Sequence, residues 1–82
     1  MNKGTVVITG GSSGIGLASV TKFISENYQV IVLDIAEPPL YELSVEYIKC
    51  DLNSVDEIKE SFKTISSRHK EIVALINSAG LL

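Results

Sequence analysis

The sequence predicts an α/β fold in three layers, a parallel sheet with helices on both faces. Three observations point to it. A β-branched run, Thr5-Val6-Val7-Ile8, leads directly into a glycine-rich turn and then into an amphipathic helix pattern. Continuous apolar runs recur at Val30-Ile31-Val32-Leu33 and Ile72-Val73-Ala74-Leu75-Ile76, as expected of parallel strands covered on both faces. A capped helix pattern separates the later strands.

The first strand spans residues 5–8, and the turn after it is Thr9-Gly10-Gly11-Ser12-Ser13-Gly14-Ile15-Gly16. The first helix runs from Gly14 to about Asn27, with Leu17, Val20, Phe23 and Ile24 on one side. Strand, glycine turn and helix in that order make a phosphate site, because the first N–H groups of a helix lack intrahelical partners and sit at the positive end of its dipole. Gly10 allows the tight turn, Gly14 the approach of a pyrophosphate, and Gly16 close packing of the helix on the strand. The spacing excludes a P-loop, because Leu17 follows Gly16 and the next lysine is Lys22. It also departs from the plain G-x-G-x-x-G fingerprint, since Gly14-Ile15-Gly16 runs on to Ser19.

The second strand covers residues 29–33 and ends at Asp34, about 20 residues after the turn, where an acidic side chain binds the ribose hydroxyls of NAD. A 2′-phosphate would meet like charge there, and Ser13, Ile35 and Ala36 supply no cation, so NAD is preferred over NADP. Glu37-Pro38-Pro39 forbids a regular helix at its position, leaving a short connection with at most one turn near residues 40–43. Val45-Glu46-Tyr47-Ile48-Lys49-Cys50 alternates apolar and polar, which suits a half-exposed third strand at the edge of a sheet ordered 3-2-1-4. Ser54-Val55-Asp56-Glu57 has the form of a capping box. The helix it opens carries Val55, Ile58, Phe62 and Ile65 on one face and Lys59, Glu60 and Lys63 on the wet side. Arg68, His69 and Lys70 close it, and His69 is expected to be a solvated helix-end residue with no carboxylate placed to work with it. The fourth strand, residues 72–76, reads as fully buried and runs into Asn77-Ser78-Ala79-Gly80.

Composition narrows the function classes. The chain has 82 residues, 45% hydrophobic and 21% charged, which suits one small globular domain. A formal net charge of −3 without a Lys/Arg cluster argues against nucleic acid, and the apolar runs are too short to span a membrane. The N-terminus reads as a strand start, not a signal peptide. The lone Cys50 allows no internal disulfide and fits a reducing cytoplasm. No metal site is expected.

The pattern T-G-x-x-x-G-x-G, together with Asn77-Ser78-Ala79-Gly80, resembles the short-chain dehydrogenase/reductase family. The latter segment is similar to the family's N-N-A-G, with Ser78 in place of the second asparagine. The resemblance implies a partial Rossmann fold, residues 1–82 forming the N-terminal half of an NAD(P)-binding domain. It implies cofactor binding by Gly10, Ser12, Ser13, Gly14, Ile15 and Gly16, by Asp34 and Ile35, and by Asn77, Ala79 and Gly80. Asp51 and Leu52 would border the adenine ring, the carboxylate accepting from the adenine amino group and the Leu52 N–H donating. The family's chemistry comes from a Ser, a Tyr-x-x-x-Lys pair and usually an Asn. Tyr28, Tyr41 and Tyr47 are followed at the fourth position by Val32, Val45 and Asp51, so no catalytic residue is assigned.

The expected function is therefore that of the N-terminal segment of an NAD-dependent oxidoreductase, one that moves a hydride between nicotinamide and an alcohol or carbonyl. The segment alone would bind the adenosine half of NAD and be catalytically incomplete. The alternative is a stand-alone nucleotide-binding or self-associating module. With the chain ending at Leu82, the fourth strand becomes an apolar edge without proline or charge, and pairing of such edges predicts a homo-oligomer.

Overall fold

The computed structural model describes residues 3–39, 44–69 and 71–78 of the chain. The elements follow in the order β1 (Thr5–Thr9), α1 (Gly14–Ser25), β2 (Gln29–Asp34), β3 (Val45–Lys49), α2 (Val55–Arg68) and β4 (Ile72–Asn77). The four strands form one parallel sheet in the order β3-β2-β1-β4, as the sequence predicts. The connection at residues 40–43, along with Lys70, Ala79 and Gly80, lies outside the described residues.

Side-chain alternation along β1 divides the core in two. Val6 and Ile8 point to the α1 face, where Val30, Val32 and Val20 complete a fully buried cluster. Phe23, Ile24, Val45, Tyr47, Ala74 and Ile76 pack around it, so this face reaches from β3 to β4. Val7 points the other way, to Ile31, Leu33, Cys50 and Ile65 beneath α2. Ile48, Leu52, Ile58 and Phe62 flank that second cluster. The continuous runs in β1 and β2 are explained by this arrangement, because both strands have helix on each side.

Three sequence expectations are corrected. β4 is not buried: Val73 is 44% and Leu75 55% exposed. Ala74 and Ile76 reach the α1 core, but the cluster under α2 contains no β4 residue, so among the described residues nothing covers that face. Val55 is 64% exposed, because the first turn of α2 lies off the sheet, and Ser61 takes a buried place beside Ile65 instead. His69 is not simply solvated. Its ring Nε2 lies 3.0 Å from Glu46 Oε1, and the Arg68 guanidinium donates to Oε2 of the same carboxylate. β3 is thereby tied to the end of α2.

The capping box forms in part. Ser54 Oγ accepts from the Glu57 N–H at 3.2 Å, while the Glu57 carboxylate reaches past the cap to the Asp51 N–H at 2.9 Å. Among the described residues no helix is long and apolar enough to cross a membrane.

Candidate functional site

The carboxyl ends of β1, β2 and β4 meet at the glycine turn. Gly10 has φ +68° and its N–H donates to Leu33 O at 2.8 Å, which folds the turn back over β2. Gly14, at φ +57°, has open space where a side chain would sit. Gly16 is the tight contact: a Cβ there would lie 2.0 Å from the Gly10 carbonyl oxygen and 2.6 Å from Ser78 Oγ. The helix can approach β1 this closely only with glycine at that point, as the sequence predicts.

The α1 N-terminus is open to an anion. Its N-cap, Ser13, is extended at φ −157° and makes no side-chain cap bond, and the first turn carries no acidic residue. Leu17 N–H is the first to close on the cap, donating to Ser13 O at 3.1 Å, so the N–H groups of Gly14, Ile15 and Gly16, in the first turn, have no intrahelical partner. Ile15 stands 80% exposed above them.

Asp34 ends β2 next to the turn. Its Oδ2 accepts from Ser12 N–H and its Oδ1 from Ala36 N–H, each at 3.1 Å. Ser12 is buried, and its hydroxyl donates to the Ala36 carbonyl. Ile35 is exposed, and its carbonyl accepts from Tyr47 Oη at 3.2 Å. The Tyr47 phenol is raised above its usual value by burial and by the negative charges of Asp34 and Glu37. The Asp34 carboxylate places negative charge and hydrogen-bond acceptors at this corner.

Asp51 follows β3 in a tight turn. Its N–H is held by Glu57, its Oδ1 accepts from Asn53 N–H at 2.9 Å, and its carbonyl accepts from Ser54 N–H at 2.9 Å. Leu52 is half-buried and leans on the α2 cluster. On the other side, Asn77 Oδ1 accepts from Thr9 Oγ1 at 2.8 Å, and Ser78 Oγ donates to Thr9 O at 2.6 Å. The Ser78 hydroxyl thus ties the end of β4 to that of β1.

The predicted residues Gly10, Ser12 and Asp34 are joined directly by the turn. Gly14, Ile15 and Gly16 begin the helix beside them, and Asn77 is bonded to the end of β1. Sequence reasoning missed the roles of Thr9, Ser78 and Glu57. The Glu57 capping signal was legible, but its partner was not. An open groove lined by Ile48, Lys49, Asp56, Glu60 and Thr64 shares none of the turn residues. No group of three metal-ligating side chains converges among the described residues.

Comparison with known proteins agrees with this fold. A family profile described as short chain dehydrogenase matches residues 4–82. An uncharacterized oxidoreductase of Saccharomyces cerevisiae is 38% identical over 81 residues, covering 94% of this chain and 26% of that protein. D-xylose 1-dehydrogenase of Caulobacter vibrioides is 37% identical over 84 residues, covering 92% and 32% respectively. The crystal structure of a short chain dehydrogenase from Leptospira borgpetersenii with bound NAD+ superposes with a TM-score of 0.88 at 35% identity, covering 99% of this chain and 33% of that one. The chain thus spans between about a quarter and a third of the length of these relatives.

Proposed function

The chain belongs to the short-chain dehydrogenase family, and from that premise we propose that it forms the adenosine-binding half of an NAD site. In a protein of the relatives' length, such a site would serve hydride transfer between nicotinamide and an alcohol or carbonyl. The observation that carries the reading is the Asp34 carboxylate, fixed at the end of β2 by the glycine turn and lying beside an open helix N-terminus.

The N–H groups of the first turn of α1 would receive the pyrophosphate, with Gly14 leaving it room. Asp34 would accept from the ribose hydroxyls. Exposed Ile35 offers apolar surface to the adenine, with the Asp51 carboxylate an acceptor for its amino group and the Leu52 N–H a donor. Asn77, Ala79 and Gly80 would close the ribose side. NAD is preferred over NADP because a 2′-phosphate would face Asp34 and Glu37 with no cation from Ser13, Ile35 or Ala36. A cytoplasmic setting suits the buried, unpaired Cys50.

The proposal extends to assembly with a second copy. Ser78 N–H donates to Thr9 O, so alternation turns the N–H and C=O groups of Leu75 and Asn77 away from β1. Antiparallel pairing about Leu75 would use those groups and cover its exposed side chain against its twin.

Calorimetric titration with NAD, NADP and ADP-ribose tests the site. NAD and ADP-ribose should bind about equally and NADP weakly, with Asp34→Ala abolishing the preference. A folded chain that binds none of them, or that binds NAD far more tightly than ADP-ribose, would contradict the reading.

A further inference from the structure

The inference here rests on that nucleotide reading and concerns Ser12. The sequence places Ser12 among the residues that touch the cofactor. In the structure its polar groups turn inward. It is 8% exposed, its N–H is taken by Asp34 Oδ2, and its hydroxyl donates to the Ala36 carbonyl. Ala36 N–H in turn donates to Asp34 Oδ1. These bonds close a ring through Ser12, Asp34 and Ala36, with one donor on each carboxylate oxygen. The donors come from opposite sides, the turn and the loop after β2, so the plane of the carboxylate is set.

We infer that Ser12 is a positioning residue: it fixes the Asp34 carboxylate for the 2′-hydroxyl of the nucleotide ribose, and so sets how strongly the site reads that hydroxyl. A carboxylate offers about four acceptor positions, of which the ring fills two and leaves two for ribose hydroxyls. Gly11 anchors the other side of the device, since a Cβ there would lie 3.0 Å from Val32 and 3.1 Å from Val20. The turn is therefore seated on β2, and the Ser12 hydroxyl transmits that seat to Ala36, which is itself exposed and leads into Glu37-Pro38-Pro39. Without the hydroxyl, Ala36 is released to water and its N–H holds Asp34 only loosely. Asp34 keeps its charge but must be ordered at each binding event, which weakens the bond to the ribose.

The test compares ADP with 2′-deoxy-ADP by calorimetry, in the wild-type chain and in Ser12→Ala. A hydrogen bond to a charged acceptor predicts that removal of the 2′-hydroxyl weakens wild-type binding about tenfold. In Ser12→Ala the ratio should fall to about twofold, and Ser12→Thr, which keeps the hydroxyl, should restore it. Amide exchange in the unliganded chain supplies a second readout. Ala36 N–H should exchange faster in Ser12→Ala, while Gly10 N–H, bonded to Leu33 O, stays protected. Equal weakening of both nucleotides with an unchanged ratio, or unchanged Ala36 exchange, would overturn the inference and leave Ser12 a structural residue of the turn. A wild-type chain that binds neither nucleotide would overturn the nucleotide reading as well, a result distinguishable before any variant is made.

Discussion

β1 and β4 lie side by side, and their apolar runs read alike. Val6, Val7 and Ile8 in β1 are fully buried, whereas Val73 and Leu75 in β4 stand about half exposed. The difference lies in the neighbours. β1 sits between β2 and β4 with a helix over each face, while among the described residues β4 has β1 on one side and is covered on the α1 face alone. A hydrophobic run specifies a strand that can be buried. Its place in the sheet decides how far burial goes, and therefore how much stability each side chain supplies.

The largest test of that contrast is truncation on each side of it. Ile31→Ala, in the cluster under α2, should cost about 2–5 kcal/mol, because a cavity opens among fully buried neighbours. Leu75→Ala should cost about 0.5 kcal/mol or less in the monomer. Urea titrations of both variants measure this, and similar losses would break the comparison.

Gly16→Ala comes next. The added methyl meets the Gly10 carbonyl and the Ser78 hydroxyl, so the helix must shift from the strand at about 1–3 kcal/mol. Thermal unfolding reports the loss, and nucleotide titration should report a weakened site with it.

Leu75→Lys sharpens the other half. On an exposed face it should leave monomer stability within about 0.5 kcal/mol, yet a lysine opposite its own copy opposes edge pairing. Sedimentation should find wild-type dimers that the variant abolishes. A wild-type monomer at working concentration would refute the second-copy proposal.

The smallest effect is at the outer edge, where β3 is tied to α2. Burial alone would raise the Glu46 carboxyl, but hydrogen bonds from His69 and Arg68 and their charges hold it below its usual 4.5. Its folded value is therefore the lower one. The stability it contributes is complete above the unfolded value and is lost as pH falls through the folded value. Glu46→Gln should flatten the acid limb of a stability–pH curve below pH 4.5 and lower stability slightly at neutral pH. A parallel curve would show the carboxylate to be inert.

Much of this fold was legible because its signals are local. The β-branched runs, the glycine spacing and the Ser54 cap each act within a few residues, and each lies where the sequence puts it. Asp34 could be placed at the end of β2 from its distance to the turn, and its carboxylate accepts from Ser12 N–H. What escaped depends on contacts between distant segments. The Glu46–His69 pair joins an edge strand to a helix end 23 residues later, and only the fold brings them together. The inward aim of Ser12 depends on its bonds to Asp34 and Ala36, 22 and 24 residues further on, which no local pattern records. The exposure of β4 escaped because a strand covered on one face can carry the same run as one covered on two.

The central claim is that nucleotide binds at the carboxyl end of the sheet, around the glycine turn, and leaves the exposed face of β4 at Val73 and Leu75 untouched. Backbone amide shifts during titration with ADP-ribose test it most directly. The account predicts saturable shifts at Ser13, Gly14, Ile15 and Gly16 and at Asp34 and Ile35, with Val73 and Leu75 unmoved. Shifts centred on Val73 and Leu75, or a folded chain in which the glycine turn does not respond, would contradict it.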